Sequence, residues 1–332
     1  MKRKITLIPG DGIGLEIMYA ATDIIDKVTN NIQWEEVNAG YTAYEKCGEL
    51  LPEDTIKSIE RNGIAFKGPI TTPVGKGFRS INVLLRQRFN LYSNLRPVKS
   101  FEGIDCLYKN LDLVIIRENS EDLYKGIEHM VTDDVAESIK IITRSASERI
   151  ADFAFKVAEK ENRGKVTLTH KANIMKLTDG LFLESGRKIS KDYPHIKFED
   201  VIVDAMSMKL VMNPYDYEVI VAPNLYGDIL SDMSAGLVGG LGMAPSANIG
   251  ESTAVFEPVH GSAPDIAGKN AANPTAAILS GIMMLKYIGE ETAAMKIEHA
   301  LKTVLRNKNL HTKDIGGNLT TIEFKEEIIK IL

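Results

Sequence analysis

Asp228 and Asp232 stand one helical turn apart in the run Asn224-Leu225-Tyr226-Gly227-Asp228-Ile229-Leu230-Ser231-Asp232, which follows the mostly apolar stretch Glu218–Pro223. Carboxylates four residues apart share one face of a helix. Near its N-terminus such a pair can hold a hard divalent cation, Mg2+ or Mn2+, through oxygen alone. Asp204 closes a run, Val201–Asp204, that reads as a strand, and it offers a third oxygen ligand. An aspartate pair at this spacing is often only a solvated helix face. Here Leu225, Ile229 and Leu230 surround the pair and a glycine-rich segment follows, which favours a metal.

A cationic cluster lies upstream, in Arg79-Ser80-Ile81-Asn82-Val83-Leu84-Leu85-Arg86-Gln87-Arg88 and Asn94-Leu95-Arg96-Pro97. On a helix Asn82 and Arg86 share a face, and Arg96 returns on the following strand. Arg117 ends the apolar run Leu113–Ile116, so its guanidinium is expected at the end of a buried strand. Three arginines converging on one cleft suit a polycarboxylate, because each forks two hydrogen bonds onto a carboxylate. By arginine count alone a solvated basic face explains them equally well, and Arg88, pointing off the shared face, is assigned to the surface. Lys171, in Thr169-His170-Lys171-Ala172-Asn173-Ile174, follows a strand and becomes a general base if flanking cations depress its pKa; Tyr124, in Arg117–Tyr124, can serve as an acid. Alone, each reads as a surface lysine or a packing tyrosine. The polar loop Glu257-Pro258-Val259-His260-Gly261-Ser262-Ala263-Pro264-Asp265-Ile266-Ala267-Gly268, followed by Asn273-Pro274, has the turn residues and small side chains to wrap a flat ligand closely.

One motif points the wrong way. Gly10-Asp11-Gly12-Ile13-Gly14 follows a strand and opens a helix, as a dinucleotide fingerprint does, but the sixth position is Leu15 rather than glycine. Asp11 and Glu16 would also oppose a pyrophosphate. The segment reads as a tight strand-to-helix turn.

The elements that must position these groups alternate along the chain. Ile5–Pro9, Ile64–Lys67, Leu113–Arg117, Lys165–His170, Val201–Asp204 and Glu218–Pro223 read as short strands. Ser145–Glu161, Leu177–Ser190 and Ala293–Leu305 read as amphipathic helices. That is the pattern of an α/β protein with a largely parallel sheet. With 332 residues, 44% hydrophobic and 26% charged, the chain is long enough for about two domains. No linker separates two halves, so the chain is expected to cross between them more than once. A net charge of −5 argues against general nucleic-acid binding. Cys47 and Cys106 make neither a disulfide framework nor a zinc site. The 18 uncharged residues between Asp232 and Glu251 approach membrane-spanning length, but Gly236, Gly239, Gly240, Gly242, Pro245 and Gly250 break them. A reduced, cytoplasmic protein is expected.

Taken together, the segments resemble the β-decarboxylating dehydrogenases, namely the isocitrate, homoisocitrate and 3-isopropylmalate dehydrogenases, from Pro9–Gly14 through to Asp314-Ile315-Gly316-Gly317-Asn318. The resemblance implies two α/β domains around one mixed sheet, unlike the doubly wound nucleotide-binding fold. Residues 1–98 and 250–332 would form the larger domain with the cofactor loop. Residues 99–249 would form the smaller one, with the dimer interface, metal and catalytic residues. It implies homodimers or larger oligomers with shared active sites and a small tricarboxylate substrate. Ser80, Asn82, Arg86, Arg96 and Arg117 would bind that substrate, favouring isocitrate because relatives acting on isopropylmalate place apolar side chains at Ser80 and Asn82. Mg2+ or Mn2+ would sit on Asp228, Asp232 and a partner-subunit Asp204. Lys171, also from the partner, and Tyr124 would move protons. Thr72, Asn173, His260, Gly261, Asp265, Ile266 and Asn273 would meet the cofactor. Asp265-Ile266 stands where NADP-linked relatives carry Lys-Tyr, and a carboxylate there suits ribose hydroxyls and repels a 2′-phosphate, so NAD is expected. Homoisocitrate, one methylene longer, is the nearest rival substrate. A non-catalytic regulatory subunit would lack Tyr124, Lys171 or a metal aspartate, and all are present. A polyanion binder without chemistry would leave the aspartate pair unexplained.

Overall fold

Short runs of β-branched and apolar residues, bounded by Gly, Pro and Asn, pair as strands because they are too short for helices and are covered on both faces. The computed structural model describes residues 2–71 and 80–332. In chain order the elements are β1 (Arg3–Ile8), α1 (Gly14–Val28), β2 (Ile32–Glu36), α2 (Tyr41–Cys47), α3 (Glu53–Asn62), β3 (Ile64–Lys67), α4 (Ile81–Arg88), β4 (Ser93–Lys99), β5 (Asp112–Glu118), β6 (Glu128–Thr132), β7 (Val135–Ser138), α5 (Arg144–Lys160), β8 (Lys165–His170), α6 (Thr178–Ile189), β9 (Lys197–Ile202), α7 (Val203–Met212), β10 (Val219–Ala222), α8 (Asn224–Leu237), β11 (Pro245–Ile249), β12 (Ala254–Pro258), α9 (Thr275–Tyr287), α10 (Glu291–Arg306) and α11 (Thr321–Ile329).

The chain forms two compact units, residues Met1–Phe89, Ser100–Asn110 and Val238–Leu332 in one and Asn90–Lys99 with Leu111–Leu237 in the other. In the first, the strands run β2-β1-β3-β12-β11. All pairs are parallel except β11 with β12, as expected of a mixed sheet. The alignment Thr6↔Ala65 and Val255↔Ala65 puts the C-terminal ends of β1, β3 and β12 at the same edge. The Pro9–Gly14 turn, the chain after Lys67 and the loop after Pro258 therefore meet. α9 packs against β11 and β12 and is buried along almost its whole length, which explains its uninterrupted apolar sequence.

The second unit has the order β4-β5-β10-β8-β9, with only β4 antiparallel to its neighbour. Its core is built from Val114 and Ile116 of β5, Phe155 of α5, Leu168 of β8 and Val221 of β10. Four parallel strands ending at one edge bring together the segments after Glu118, His170, Ile202 and Ala222. Those ends are where ligands collect in α/β sheets.

Two features differ from the sequence expectation for local reasons, while the uncharged stretch after Asp232 is broken as expected. Asp204 lies in the first turn of α7 rather than at a strand end: β9 stops at Ile202, and a carboxylate suits the free N–H groups of a helix start. The uncharged stretch after Asp232 splits into the end of α8, a turn at Gly239 and Gly240, both at positive φ, and strand β11. No helix among the described residues is long and apolar enough to cross a membrane. The units also exchange at Phe89/Asn90 and Leu237/Val238, rather than near 98/99 and 249/250, because β4 pairs with β5 over its whole length. Ser100–Asn110 belongs with the first unit: Gly103 packs so closely that a Cβ would stand 1.9 Å from the Leu305 carbonyl oxygen. Glu102–Arg306 and Asp105–Lys308 ion pairs, each 2.7 Å, hold the same segment.

Candidate active site

In the first unit α4 carries Asn82 and Arg86 on one face, and the exposed Ser80 immediately precedes it. Arg86 is buried, and its Nη2 lies 3.8 Å from Glu257 Oε1 at the end of β12. The other Glu257 oxygen meets Lys67 Nζ of β3 at 2.5 Å, and Asn248 donates to Oε1 at 2.7 Å. Lys67 and Glu257 are next in register after the Phe66↔Phe256 pair, so parallel pairing itself brings the two charges together. Burial pushes the Glu257 carboxyl up, but Lys67 and Arg86 outweigh it and hold it below the usual carboxylate range. Among the described residues the buried Asn82 Oδ1 has no hydrogen-bond partner. Arg88 is exposed and pairs with Glu60. Thr72 and Arg79 lie outside the described residues.

The loop after β12 is fastened by the Gly10–Gly14 turn. Ile13 N donates to Ser262 O at 2.9 Å, and the hydroxyls of Ser262 and Thr71 are 2.6 Å apart. Gly12, at φ +58°, leaves no room for a side chain: a Cβ would lie 2.0 Å from Ser262 O. The buried Asp11 accepts from Tyr41 N, Thr42 N, Thr42 Oγ1 and Thr71 N at 2.7–2.9 Å. The charge that argued against a pyrophosphate is thus consumed in joining three loops. His260 donates from Nδ1 to Gly261 O at 3.0 Å, while its buried Nε2 has no partner among the described residues. Burial holds this imidazole below its ordinary pKa, so it is a neutral acceptor at pH 7. Asp265 is exposed beside Ile266, and Asn273 donates to Asp314 at 3.0 Å. An orphaned buried ring nitrogen next to a loop of small residues and an exposed carboxylate fit a nucleotide's hydroxyl and amide groups.

In the second unit Arg117 ends β5 only 1% exposed. Its Nε donates to Asn224 Oδ1 at 2.9 Å and its Nη1 to Asp228 Oδ1. Gly227 permits this approach, since a Cβ there would meet the Arg117 side chain at 2.7 Å. Arg96 of β4 reaches Asp228 at 3.2 Å and Asp232 at 2.8 Å, and Tyr124 OH donates to Asp228 Oδ2 at 2.6 Å. Sequence reasoning separated the arginines from the aspartate pair; the structure puts Arg96 and Arg117 in one cluster with it, while Arg86 pairs with Glu257. Burial raises the Asp232 carboxyl above its ordinary value, against the opposing pull of Arg96, and Asp228 adds to the rise. A metal ion there would add to the counter-charge of Arg96 and Arg117, and an all-oxygen pair one turn apart fits Mg2+ or Mn2+. The second cluster is Lys171 Nζ on Asp204 Oδ1 at 2.5 Å. Its partner is a carboxylate, where the sequence had suggested flanking cations. The same contact holds Asp204 below the usual carboxylate range. Asn173 is exposed two residues on. Among the described residues no three Asp, Glu, His or Cys side chains converge, so Asp204 does not join Asp228 and Asp232 within one copy.

The isocitrate/isopropylmalate dehydrogenase family model matches residues 4–328. The chain belongs to this family. It is therefore an α/β oxidoreductase of the dehydrogenase kind, with the family fold. A Drosophila melanogaster protein described as a probable NAD isocitrate dehydrogenase subunit alpha, mitochondrial, is 50% identical, the match covering 98% of this chain and 86% of that protein. A 3-isopropylmalate dehydrogenase of Archaeoglobus fulgidus is 49% identical over 99% of both chains. The crystal structure of isocitrate dehydrogenase from Methylococcus capsulatus superposes with a TM-score of 0.96 at 53% identity, covering 100% of this chain and 99% of that one. Relatives bearing two substrate names stand at nearly equal distance, so the substrate has to be argued from side chains.

Several residues that shape this dehydrogenase site had no recognisable signal in the sequence. Lys67 and Glu257 brace Arg86, yet each is an ordinary charged residue near a strand end. Asn224 links Arg117 to the Glu121 carbonyl, which it reaches at 3.1 Å. It stood in the quoted aspartate run, and an amide opening a helix after a strand is the one hint available. Asp11 was visible only as an obstacle to a different ligand.

Proposed function

We propose that the chain is an NAD-linked, divalent-metal-dependent isocitrate dehydrogenase, oxidising isocitrate to 2-oxoglutarate and CO2. The observation that carries this reading is the polar face of α4. Asn82, through its amide N–H2, and Arg86 follow Ser80, and all three offer donors to a carboxylate and would be wasted on an isopropyl group. The 49% identity to a 3-isopropylmalate dehydrogenase keeps that acid in the test, along with homoisocitrate.

On this reading Arg86, Arg96 and Arg117 grip the substrate carboxylates, with Ser80 and Asn82 at the distal one. A divalent cation on Asp228, Asp232 and a second copy's Asp204 supplies, when bound, stabilisation for negative charge on the substrate oxygens. Lys171, also from the second copy, accepts the hydroxyl proton as the alcohol is oxidised, and Tyr124 returns a proton to carbon after CO2 leaves. Asp265 accepts from the ribose hydroxyls of NAD. His260, Gly261, Ile266, Asn273, Asn173 and Thr72 complete the cofactor's surroundings. The assembly is a homodimer or larger homo-oligomer.

The test is turnover by nicotinamide absorbance with Mg2+ or Mn2+, crossing NAD and NADP with isocitrate, homoisocitrate and 3-isopropylmalate. Turnover concentrated on isocitrate with NAD is expected; a better rate with another acid overturns the α4 argument. Tyr124→Phe is expected to lower kcat by about 100-fold while leaving KM within a small factor. Asp265→Lys with Ile266→Tyr is expected to shift the cofactor ratio toward NADP, and an unchanged ratio removes Asp265 from cofactor choice.

A further inference from the structure

Lys140 lies between β7 and α5, outside every motif considered above, and its side chain is only 11% exposed. Its Nζ meets Asp179 Oδ1 at 2.6 Å and Asp122 Oδ1 at 3.7 Å, and sits 4.5 Å from the centre of the Tyr226 ring. Both carboxylates are essentially inaccessible to solvent. Their second oxygens are also committed. Asp179 Oδ2 accepts from Lys171 N at 2.6 Å, and Asp122 Oδ2 accepts from Leu225 N at 2.9 Å.

One ammonium thus faces two buried carboxylates, each fastened to the backbone of a different working segment. On one side is Lys171, with Asp204 on its Nζ. On the other is the start of α8, which carries Asp228 and Asp232. Asp122 itself is held at φ +71°, one residue before the short helix Leu123–Lys125 that presents Tyr124 to Asp228. A buried lysine flanked by two acids is not needed for packing; removing it leaves two uncompensated charges facing each other.

We propose that Lys140 is a positioning residue that locks the Lys171 segment to the Tyr124–Asp228 segment. This rests on the proposed function, in which Lys171 serves a second copy's site while Tyr124 and Asp228 serve the copy's own. Lys140 then holds together parts of two active sites, and losing it in one copy disturbs both.

The test begins with Lys140→Met in the full-length protein. A loss of about 100-fold in kcat is expected, since displacements near 1 Å cost that much, with KM for isocitrate within about threefold. Lys140→Arg should recover a large part of the loss. Asp179→Asn, which keeps an acceptor for Lys171 N but weakens the ion pair, should also lower kcat, and it serves if Lys140→Met does not fold. Unchanged kcat in both Lys140→Met and Asp179→Asn, or in Asp179→Asn alone where Lys140→Met does not fold, overturns the proposal. Differently tagged hybrids then ask about two sites. A hybrid of one wild-type and one Lys140→Met chain should fall well below half of wild-type turnover; half or more overturns the link between sites. Mixing Tyr124→Phe with Lys171→Met chains is the independent control. Recovered activity there supports sites shared between copies, and its absence overturns the shared-site reading, leaving the single-variant kinetics to judge the positioning role.

Discussion

Arg96 and Arg117 do two things with one geometry. They hold Asp228 and Asp232 close together at the end of β5, and in the proposed function they present guanidinium groups to a polycarboxylate. Two acids crowded this way need counter-charge, which is why the arginine and aspartate clusters are one site. Nearby lies a second crowded pair of acids, Glu118 and Glu121. Glu118 accepts from Ser120 N and Glu121 N, Glu121 accepts from Thr143 N and Oγ1, and both are buried. Burial, with Glu118 adding to it, pushes the Glu121 carboxyl up to about 7. A folded-state pKa above the unfolded value of 4.5 means that the native state keeps a proton the unfolded chain has released. Stability therefore falls as pH rises from about 4.5 to 7, by up to about 3 kcal/mol. Glu121→Gln preserves the acceptor for Thr143 and removes the titration. Urea unfolding at pH 5 and pH 8 should show wild type losing stability relative to the variant at the higher pH; parallel pH dependences would exclude Glu121 as the titrating group.

At the scale of elements, parallel pairing does the positioning. β1, β3 and β12 end together, and the Gly10–Gly14 turn reaches across to hold the loop after β12, which meets the cofactor in the proposed function, at Ser262. Gly12→Ala adds a methyl at φ +58° where a carbonyl oxygen stands 2.0 Å away, so the turn or the loop must move. We expect KM for NAD to rise by about tenfold or more while KM for isocitrate changes little; equal changes in both would mean that the turn supports the whole unit rather than the loop. The sequence made the strand ends legible because short apolar runs have no other use: Ile64–Lys67 and Lys165–His170 form strands over those same residues. The helix at Ala293–Leu305 was legible from its period and extends only to Glu291–Arg306. Asp204 was misplaced because β9 passes directly into α7 at Ile202/Val203, with no Gly or Pro to mark the change. The hairpin β6–β7 was missed because it is exposed throughout and has no apolar alternation to announce it. Lys140, Asp122 and Asp179 were invisible for a different reason: their meaning lies in contacts 18 to 39 residues apart.

At the scale of the whole molecule, the arrangement within one copy is incomplete for the chemistry proposed. Lys171 and Asp204 pair with each other, Tyr124 and Asp228 pair with each other, and no third acid joins Asp228 and Asp232 among the described residues. Asp204 opens α7, and α7 packs against α8 while exposing Met208, Val211 and Met212; α8 exposes Ile229. In the proposed homo-oligomer a second copy of this chain would cover these exposed apolar side chains. A two-fold contact is reciprocal, so each α7 that covers a neighbour's apolar face can bring its Asp204 and Lys171 to that neighbour's Asp228. Charging this face should therefore separate subunits and abolish catalysis together, though neither Met208 nor Met212 touches a substrate in the proposed mechanism. Met208→Asp with Met212→Asp is expected to halve the sedimenting mass, keep the far-ultraviolet circular dichroism of the wild type, and lower turnover by at least about 100-fold. A monomer that retains full turnover would place Asp204 and Lys171 in their own subunit's site, and a variant that stays dimeric would put the contact on another face.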